Sequence, residues 1–392
     1  MDLRIGVVGY GLRGGVAREA HRPGEGSAIT AVCDPSERSR REAFEAFPGA
    51  SVTDELEVTL ASDIDAVMVL TPDHLHASVA IRALEAGVAV FCEKPLATSI
   101  EDCDAILAAA HRTGSKLYVG HNMRHLPVIT LMRDLIQQGR IGEVKTLWCR
   151  HFVGDGGDYY FKDWHADRSK SVGLLLQKGA HDLDVIHWLS GGYATRVQAI
   201  GALAVYGAIT DRHDRSDERM LDWYSLDNWP PTAQRGLNPV VDVEDVSMVN
   251  LVLDNGVLAS YQQCHFTPDY WRNYTVIGTT GRIENTGDVS GSEVRLWNRR
   301  HSGSAQADES FVVQEAEGGH GGADALLIDE FLRFVRTGAT TATSPVAARQ
   351  AVAAGIRATE SLRGDECALD VPPLDAALLD YFASGQSSAC RG

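Results

Sequence analysis

One feature constrains this chain most: an apolar stretch that runs directly into a cluster of glycines, Arg4-Ile5-Gly6-Val7-Val8-Gly9-Tyr10-Gly11-Leu12-Arg13-Gly14. This order predicts a buried strand, a sharp turn and then a helix. Gly9 permits the turn, Gly11 permits the backbone to approach a diphosphate, and Gly14 permits the helix to pack closely on the strand. Unpaired N–H groups at the start of that helix favour an anion.

A second apolar run, residues 28–32, leads to Asp34. Asp34 lies about 20 residues beyond Gly14, where a carboxylate at the end of the second strand accepts hydrogen bonds from an adenosine ribose. The pattern therefore predicts a dinucleotide site that prefers NAD to NADP, because a carboxylate repels a 2′-phosphate. Arg38 and Arg40 are close enough in sequence to soften that repulsion. A methyltransferase-like nucleotide fold is the alternative.

Strands and helices alternate through the first third of the chain, which predicts a parallel, doubly wound sheet. Ligands of such sheets bind at the carboxyl ends of the strands. Candidate ligand-contacting residues follow the predicted strands at those ends: Thr71, Pro72 and His76 after residues 64–70, and Glu93 and Lys94 after residues 88–92. His76 either begins a helix or lines the nucleotide pocket.

Beyond about residue 125 the pattern changes to strands joined by turns. Predicted strands are residues 144–152, 196–205, 245–253, 257–264, 274–277 and 281–284. Asp254-Asn255-Gly256 is a strong hairpin signal between two of them, so the sheet is predicted to be mostly antiparallel. Other predictions are a polar aromatic loop over 154–172, a helix over 173–189, a long excursion over 207–243 and C-terminal helices.

These patterns predict an α/β protein. Its N-terminal Rossmann dinucleotide-binding domain spans residues 1–124. An α/β domain with a large, mostly antiparallel open sheet follows over residues 125–392, and its C-terminal helices can pack back on the first domain.

Composition narrows the possible partners. The net charge of −17 argues against nucleic acid and anionic membranes as partners. No apolar run approaches the roughly 20 residues of a membrane span. The 7 cysteines are scattered without CxxC pairs, which is typical of a reducing cytoplasm, where we expect the protein. His181, Asp184 and His187 match no strong metal signature, so no metal is expected.

The chain resembles the Gfo/Idh/MocA family of sugar and inositol oxidoreductases over almost its whole length. The resemblance is carried by Gly9–Gly14, Thr71–His76, Glu93–Pro95, Gly120–Arg124 and Gly179–Asp184. It implies a Rossmann domain and an α/β domain whose open sheet often forms the subunit interface, hence a homodimer or homotetramer. It also implies a small carbohydrate or cyclitol substrate.

The resemblance assigns the catalytic lysine to Lys94 and the catalytic histidine to His181. Moving a hydride from a carbinol carbon requires loss of the hydroxyl proton, which suits either side chain. Glu93 is expected to orient or pair with Lys94, and the Lys94–Pro95 peptide resembles one that is commonly cis. With the glycine segment and Asp34, the expected cofactor-binding residues are Thr71, Pro72, His76, Glu93, Lys94 and Asn122. We expect Lys94 and His181 to converge beside the nicotinamide.

The chain departs from the family pattern at Gln177, where inositol-type dehydrogenases carry an aspartate four residues before the histidine. Glutamine can bond a sugar hydroxyl but cannot take its proton, so the relay must rest on Lys94 and His181, with Asp184 behind the imidazole. Asp73 and His125 replace the usual asparagine and phenylalanine. Candidate substrate residues are Arg124, Trp164, His165, Gln177, Asp184 and His320.

The leading hypothesis is an NAD-dependent oxidoreductase acting on a ring hydroxyl of a sugar, cyclitol or glycoside. An alternative is an NAD-retaining glycosidase that works by oxidation, elimination, hydration and reduction. A further alternative is a non-catalytic NAD or sugar sensor, against which the presence of both Lys94 and His181 argues.

Overall fold

A computed structural model describes residues 1–301, 306–314 and 321–386. The chain divides into two compact units. Unit 1 comprises Met1–His125, Gly318–Val352 and Leu374–Gly392, and unit 2 comprises Leu126–Glu317 and Ala353–Pro373. Each unit therefore contains residues from distant parts of the sequence.

The strands are β1 Leu3–Val8, β2 Ser27–Cys33, β3 Ser51–Thr53, β4 Ala66–Val69, β5 Ala89–Cys92, β6 Leu117–Val119, β7 Val144–Phe152, β8 Ala194–Ala202, β9 Val246–Leu253, β10 Leu258–Cys264, β11 Trp271–Gly278, β12 Arg282–Asn285, β13 Glu293–Trp297, β14 Glu309–Val312 and β15 Leu369–Asp370. The helices are α1 Gly14–Glu19, α2 Glu37–Ala46, α3 Leu56–Leu60, α4 His76–Glu85, α5 Ile100–Thr113, α6 Pro127–Gln137, α7 Gly156–Tyr160, α8 Arg168–Ser171, α9 Leu174–Gln177, α10 Gly179–Ser190, α11 Met220–Trp223, α12 Ala323–Thr337, α13 Pro345–Arg363 and α14 Ala376–Ala383.

Unit 1 is built on a six-stranded parallel sheet in the order β3-β2-β1-β4-β5-β6. Every residue of β4 and β5 is buried, as expected for parallel strands covered on both faces. The order reverses direction at β1, so the carboxyl ends of β1 and β4 are neighbours and form the crevice where such sheets bind ligands. The predicted Rossmann fold is confirmed.

Helix α12, far along the sequence, completes the core of unit 1. Leu327, Phe331 and Phe334 recur at helical spacing and are buried with residues of the central strands. The ring of Phe331 meets Phe91 of β5 edge to face at 5.4 Å. The hydroxyl of Tyr118 in β6 donates to Glu330 at 2.8 Å.

The edge strand β6 is paired with a side chain. Gln386 accepts the backbone N–H of Leu117 through its amide oxygen at 2.8 Å and donates to the carbonyl of Leu117 at 2.7 Å. The amide of Gln386 thereby meets both main-chain groups of one edge residue.

Unit 2 contains a nine-stranded sheet in the order β14-β13-β12-β11-β7-β10-β9-β8-β15. The neighbouring strands are antiparallel except for β7 and β10, which are parallel. The predicted hairpin at Asp254-Asn255-Gly256 forms between β9 and β10, and a second antiparallel pair joins β11 and β12. The prediction of a large, mostly antiparallel sheet is confirmed.

The single helix predicted over residues 173–189 is wrong in detail, because the structure divides it into α9 and α10 at Lys178. The break brings Gly179 against Tyr261 of β10, where a Cβ atom would lie 3.1 Å from the ring. The loop predicted over 154–172 contains α7, α8 and a 3-10 turn, Trp164–Ala166.

The excursion over 207–243 is anchored on α7 by the buried carboxylate of Asp158. That carboxylate accepts hydrogen bonds from Asn228 at 3.0 Å and from Gln234 at 2.6 Å, and it pairs with Lys162. Trp223 donates to the backbone carbonyl of Asp158 at 3.2 Å. The excursion is therefore an ordered part of unit 2.

Helix α10 is fixed to the sheet of unit 2 by Asp182, whose side chain is 0% exposed. Its carboxylate accepts from His151 of β7 at 2.9 Å, from Tyr261 of β10 at 2.8 Å and from Tyr274 of β11, and it pairs with Arg272 of β11 at 3.0 Å. Burial alone would raise the pKa of Asp182, but the charge of Arg272 and these donors hold it well below its usual value.

His151 is the neutral member of this cluster. Burial and the charge of Arg272 lower the pKa of His151 to about 3. A neutral ring can donate from Nδ1 to Asp182 and accept at Nε2 from Arg272, which lies 3.2 Å away. His151 thus provides a hydrogen-bonding partner to both members of the buried ion pair, Asp182 and Arg272.

We predict that Asp182→Asn lowers the free energy of unfolding by about 3–5 kcal/mol, because it leaves the buried guanidinium of Arg272 without this partner. Urea unfolding of the whole chain measures the change. The control is Asp370→Asn, which removes the exposed 3.0 Å pair with Arg196 and should cost less than about 1 kcal/mol. Equal effects of the two substitutions would contradict the role given to Asp182.

Candidate functional site

The glycine segment of unit 1 has the geometry of a dinucleotide loop. Gly9 has φ +87°, and a Cβ atom there would lie 2.9 Å from the carbonyl carbon of Leu70. Only glycine fits that position without strain. At Gly11, nothing lies within 4 Å of the Cβ position, so the backbone is open to an approaching group. The loop therefore fits a diphosphate laid against its main chain.

Asp34 lies at the carboxyl end of β2, beside this loop, and is 7% exposed. Its carboxylate accepts the backbone N–H of Tyr10 at 2.7 Å through one oxygen and that of Ser36 at 2.8 Å through the other. Each oxygen keeps a further lone pair, so the carboxylate can still accept from a hydroxyl. Arg40 donates instead to the carbonyls of Asp34 and Pro35.

Tyr10 and Leu12, two other residues of the predicted cofactor loop, differ in exposure. The ring of Tyr10 is buried against Phe47, with centroids 5.4 Å apart, and its hydroxyl accepts from Arg18. Only the main chain of Tyr10 therefore faces the loop. Leu12 is exposed. A Cβ atom at Gly14 would lie 3.0 Å from the Tyr10 ring, so this glycine allows the ring to pack beneath α1.

His76 links the ends of two neighbouring strands. Its Nδ1 lies 2.7 Å from the carbonyl of Pro95 and its Nε2 lies 2.9 Å from the carbonyl of Thr71. Both partners are acceptors, and a neutral imidazole can donate to only one of them. His76 therefore orders the segments that follow β4 and β5. Pro72 is exposed beside it.

Some buried polar atoms at this edge lack a partner. Within the described ranges, neither the hydroxyl of Thr71 nor the Oδ1 atom of Asn122 has a hydrogen-bond partner. The amide nitrogen of Asn122 donates to Asp324 at 3.0 Å. Unsatisfied polar atoms at the carboxyl ends of β4 and β6 fit a ligand that carries polar groups of its own.

Arg13, from the glycine segment, connects the predicted cofactor loop to the predicted catalytic segment. Its guanidinium contacts Glu93 at 2.6 Å and Asp324 of α12 at 3.2 Å. Burial would lower the pKa of Arg13, but the charges of Glu93 and Asp324 raise it above its usual value. The other oxygen of Glu93 accepts the backbone N–H of Lys94 at 3.0 Å.

Lys94 follows β5 and its side chain is partly exposed. The Lys94–Pro95 peptide is cis, as the family resemblance implied. Glu93 holds the backbone of Lys94, and Arg13 holds Glu93, so the backbone of the lysine is fixed by charges of unit 1. Asp324 is part of this arrangement, but the sequence did not indicate it, because it lies 311 positions from Arg13.

In unit 2, the other predicted catalytic residue lies on α10. His181 is 9% exposed and immediately precedes Asp182, which fixes the helix to the sheet. Gln177, at the end of α9, and Asp184, further along α10, are both buried. The predicted roles of His181, Gln177 and Asp184 stay predictions.

Trp164 and His165 lie in the 3-10 turn before α8. Their rings stack with centroids 3.9 Å apart. Asp163, which precedes them, contacts Nδ1 of His165. The spacing Asp163-Trp164-His165 could have suggested this pair, but the sequence analysis did not single out Asp163.

The last predicted substrate residues have different positions. Arg124 is buried in unit 1 and donates to the carbonyl of Ala342 at 2.5 Å, so its guanidinium serves a contact within that unit. His320 lies outside the described residues.

Of the helices that the structure describes, none combines the length and apolar character needed to cross a membrane.

Two family models match the chain. One, described as an oxidoreductase family with an NAD-binding Rossmann fold, matches residues 3–121. The other, described as the GFO/IDH/MocA C-terminal domain, matches residues 129–284. The boundary between the two matches falls close to the point where unit 1 first passes into unit 2.

The chain is similar in sequence to proteins that carry the names of a hydratase and a dehydrogenase. It is 32% identical to 2,7-anhydro-N-acetylneuraminate hydratase of Mediterraneibacter gnavus over 57% of this chain and 62% of that protein. It is 33% identical to inositol 2-dehydrogenase of Rhizobium meliloti over 55% of this chain and 63% of that protein. Each match thus spans just under two thirds of the relative's length.

A solved structure of levoglucosan dehydrogenase, in complex with NADH and levoglucosan, has the same fold. Its TM-score is 0.77 at 20% identity, and the match covers 95% of this chain and all of that one. Since models of both domains of one family match in sequence order, and the fold agrees, the chain belongs to the Gfo/Idh/MocA family of oxidoreductases.

Proposed function

We propose that this protein is an NAD-dependent dehydrogenase that transfers a hydride between nicotinamide and a ring hydroxyl carbon of a sugar, cyclitol or glycoside. One observation carries the proposal. The glycine segment, Asp34, Thr71 and Lys94 all follow strands of one parallel sheet, at the edge where such sheets bind ligands. The names of the relatives, an inositol dehydrogenase and a hydratase of an anhydro sugar, favour a polyhydroxylated ring as the substrate.

In this proposal the cofactor is held by unit 1. Gly9 and Gly11 receive the diphosphate, Asp34 accepts hydrogen bonds from the ribose, and the orphan polar atoms of Thr71 and Asn122 find partners. When bound, the nicotinamide accepts or supplies the hydride.

Lys94 is proposed as the acid–base residue for the reacting hydroxyl. A lysine without its proton takes the hydroxyl proton, and the protonated lysine returns it in the reverse direction. The fixed backbone of Lys94 reduces the entropy lost in placing the amine. His181 is proposed to bind the same hydroxyl or shuttle its proton, and Gln177 to donate to or accept from a neighbouring hydroxyl.

Gln177 favours a second candidate, an NAD-retaining glycosidase or hydratase. Such an enzyme oxidises a ring hydroxyl, eliminates a substituent, adds water and reduces the ring again, with no net oxidation. Glutamine cannot replace the aspartate that inositol-type dehydrogenases use, and one relative is named a hydratase.

The proposed function is tested by incubating the purified protein and NAD with free sugars, cyclitols, levoglucosan and aryl glycosides. Formation of reduced nicotinamide is followed by absorbance. Net reduction of NAD by a free sugar or polyol supports the dehydrogenase. Release of an aglycone without net reduction supports the second candidate, and no change with any compound contradicts both.

We predict that Lys94→Met lowers kcat/KM by about 10²- to 10⁴-fold, because it removes the acid–base group and keeps the apolar stem. NAD affinity, measured by fluorescence titration, should stay within about 3-fold of the original value. Lys145→Met is the matched control, since Lys145 is exposed and pairs only with Glu143 among the described residues. Activity that survives Lys94→Met would exclude Lys94 as the acid–base residue.

We propose NAD rather than NADP as the cofactor. Asp34 presents a negative charge at the ribose position, while Arg40 is bonded to main-chain carbonyls and Arg38 pairs with Glu42 at 3.2 Å. Neither arginine is directed to a 2′-phosphate in this arrangement. The negative charge of Asp34 is therefore the feature that favours NAD over NADP.

We predict that Asp34→Asn weakens NAD binding by about 1.5–3 kcal/mol, the usual value of hydrogen bonds to a charged group. NADP binding should strengthen, because the repulsion of its 2′-phosphate is removed. Calorimetric titration of both cofactors measures the change, with Asp54→Asn as the exposed control. An unchanged ratio of NAD to NADP affinity would contradict the role of Asp34.

We also propose that copies of the chain associate through the exposed face of the sheet in unit 2. That face carries apolar side chains on neighbouring strands, including Ile200 paired with Met248 and Val252 paired with Leu258. A contiguous patch of exposed apolar side chains on a sheet face is typical of a surface that contacts another protein molecule.

Ile200→Glu is predicted to reduce the mass measured by light scattering toward that of one chain, because it buries a charge in the proposed interface. Leu226→Glu, in the exposed part of the excursion, is the control and should leave the mass unchanged. A single-chain mass for the unaltered protein would exclude the proposed association.

A further inference from the structure

Asp163 and His165 form a carboxylate–imidazole pair in unit 2, in the 3-10 turn Trp164–Ala166 and the residue before it. One oxygen of Asp163 accepts the backbone N–H of His165 at 3.2 Å and also contacts ring Nδ1. The carboxylate thus fixes both the main chain and the ring of His165. Because Nδ1 donates to Asp163, the neutral ring carries its proton there and leaves Nε2 as an acceptor.

The ring of His165 is also held by packing. It stacks on Trp164 with centroids 3.9 Å apart and meets Tyr160 edge to face at 5.4 Å. The backbone carbonyl of His165 accepts a hydrogen bond from the hydroxyl of Ser171 at 2.8 Å. Main chain, ring and carboxylate are therefore fixed before any substrate binds, which is the arrangement that proton transfer requires.

Nε2 of His165 makes no hydrogen bond to another residue in the part of the chain that the structure describes. The residue is 5% exposed, and Nε2 is not among the fully buried polar atoms that lack a partner, so part of this small exposed area belongs to this nitrogen. An imidazole with a carboxylate on one nitrogen and the other nitrogen available is the recurring arrangement of general bases that act on hydroxyl groups.

Contacts of Tyr160 connect the pair to the segment that carries His181. The ammonium of Lys178, at the break between α9 and α10, lies 5.8 Å from the centroid of the Tyr160 ring. His265, directly after β10, meets the same ring at 5.2 Å. The titratable groups around His165 are therefore Asp163 in its own turn, Tyr159 and Tyr160 of α7, and His265 and Lys178 beyond Tyr160.

We propose that His165, oriented by Asp163, is a second proton-transferring residue of this protein, in addition to Lys94. This inference rests on the proposed function, because it needs a hydroxylated ring bound to unit 2. His165 is the catalytic residue of the pair and Asp163 its positioning residue.

The proposed step is a proton transfer to or from a sugar oxygen. The O–H bond of a ring hydroxyl breaks, its electron pair stays on oxygen, and the proton forms an N–H bond at Nε2. The resulting imidazolium is stabilised by the charge of Asp163. In the reverse direction the imidazolium returns the same proton to an oxygen, so no other reactant is needed.

The test compares His165→Gln and Asp163→Asn with the unaltered protein. Glutamine keeps a polar side chain of similar reach but cannot transfer a proton, and asparagine keeps an acceptor for Nδ1 but removes the charge. The matched control is His213→Gln, at the exposed pair of His213 with Glu218, whose atoms lie 3.0 Å apart. The readouts are kcat and KM for the compound most rapidly oxidised in the presence of NAD, measured across pH, and long-range nitrogen NMR of the imidazoles.

We expect His165→Gln to lower kcat by about 10²- to 10⁴-fold with a smaller change in KM. Asp163→Asn should lower kcat less than His165→Gln does and should lower the fraction of the neutral ring that is protonated at Nδ1, because the ring loses its charged acceptor. His213→Gln should change neither. The NMR spectrum of the unaltered protein should show His165 protonated at Nδ1 when neutral.

Activity of His165→Gln within about 3-fold of the original, with an unchanged pH profile, would overturn the inference and leave the proposed function intact. So would an NMR spectrum with the neutral ring protonated at Nε2, and this readout does not depend on either variant folding. An unaltered protein that is inert with every compound would instead overturn the proposed function and the inference together.

Discussion

The structure of unit 2 depends on one buried charge, the carboxylate of Asp182. It has no contact with water, so its stability comes from donors on β7, β10 and β11 and from the guanidinium of Arg272. Those donors come from strands that are far apart in sequence but adjacent in the sheet. Asp182 therefore determines where α10 lies on the sheet and, with it, where the backbone of His181 lies.

Unit 1 also contains a buried charge that is held by several partners, but there the central charge is positive. There a cation, Arg13, is surrounded by the carboxylates of Glu93 and Asp324. Glu93 in turn holds the backbone of Lys94. In both units, a residue proposed to act on substrate is adjacent in sequence to a charge with several partners. Such networks restrict motion more than single contacts, because moving one member breaks several hydrogen bonds.

The fold could be predicted well because its signals are local. The run from Arg4 to Gly14 encodes its strand and turn within a few residues, and Asp254-Asn255-Gly256 encodes a hairpin that the structure contains. The break at Lys178 could not be predicted, because the apolar pattern continues through it and the close approach to Tyr261 depends on the folded sheet.

The candidate site could be predicted only in part, for the same reason. Asp34 and Lys94 were singled out as candidates because each follows a recognisable strand. The contact of Arg13 with Asp324 joins positions 311 apart in sequence, and nothing near either residue signals the other. The pair of Asp163 and His165 is local, but the rings that lock it come from the fold.

The side chain of Gln386 has a consequence for how copies of the chain can meet. An open parallel sheet ends in a strand whose main chain could recruit a strand from another molecule. At Leu117 of β6, the amide of Gln386 already occupies the donor and the acceptor that such a recruit would need. Growth of the Rossmann sheet by strand addition is therefore blocked at this residue, because a second molecule would have to displace the side chain of Gln386 before it could add a strand at β6.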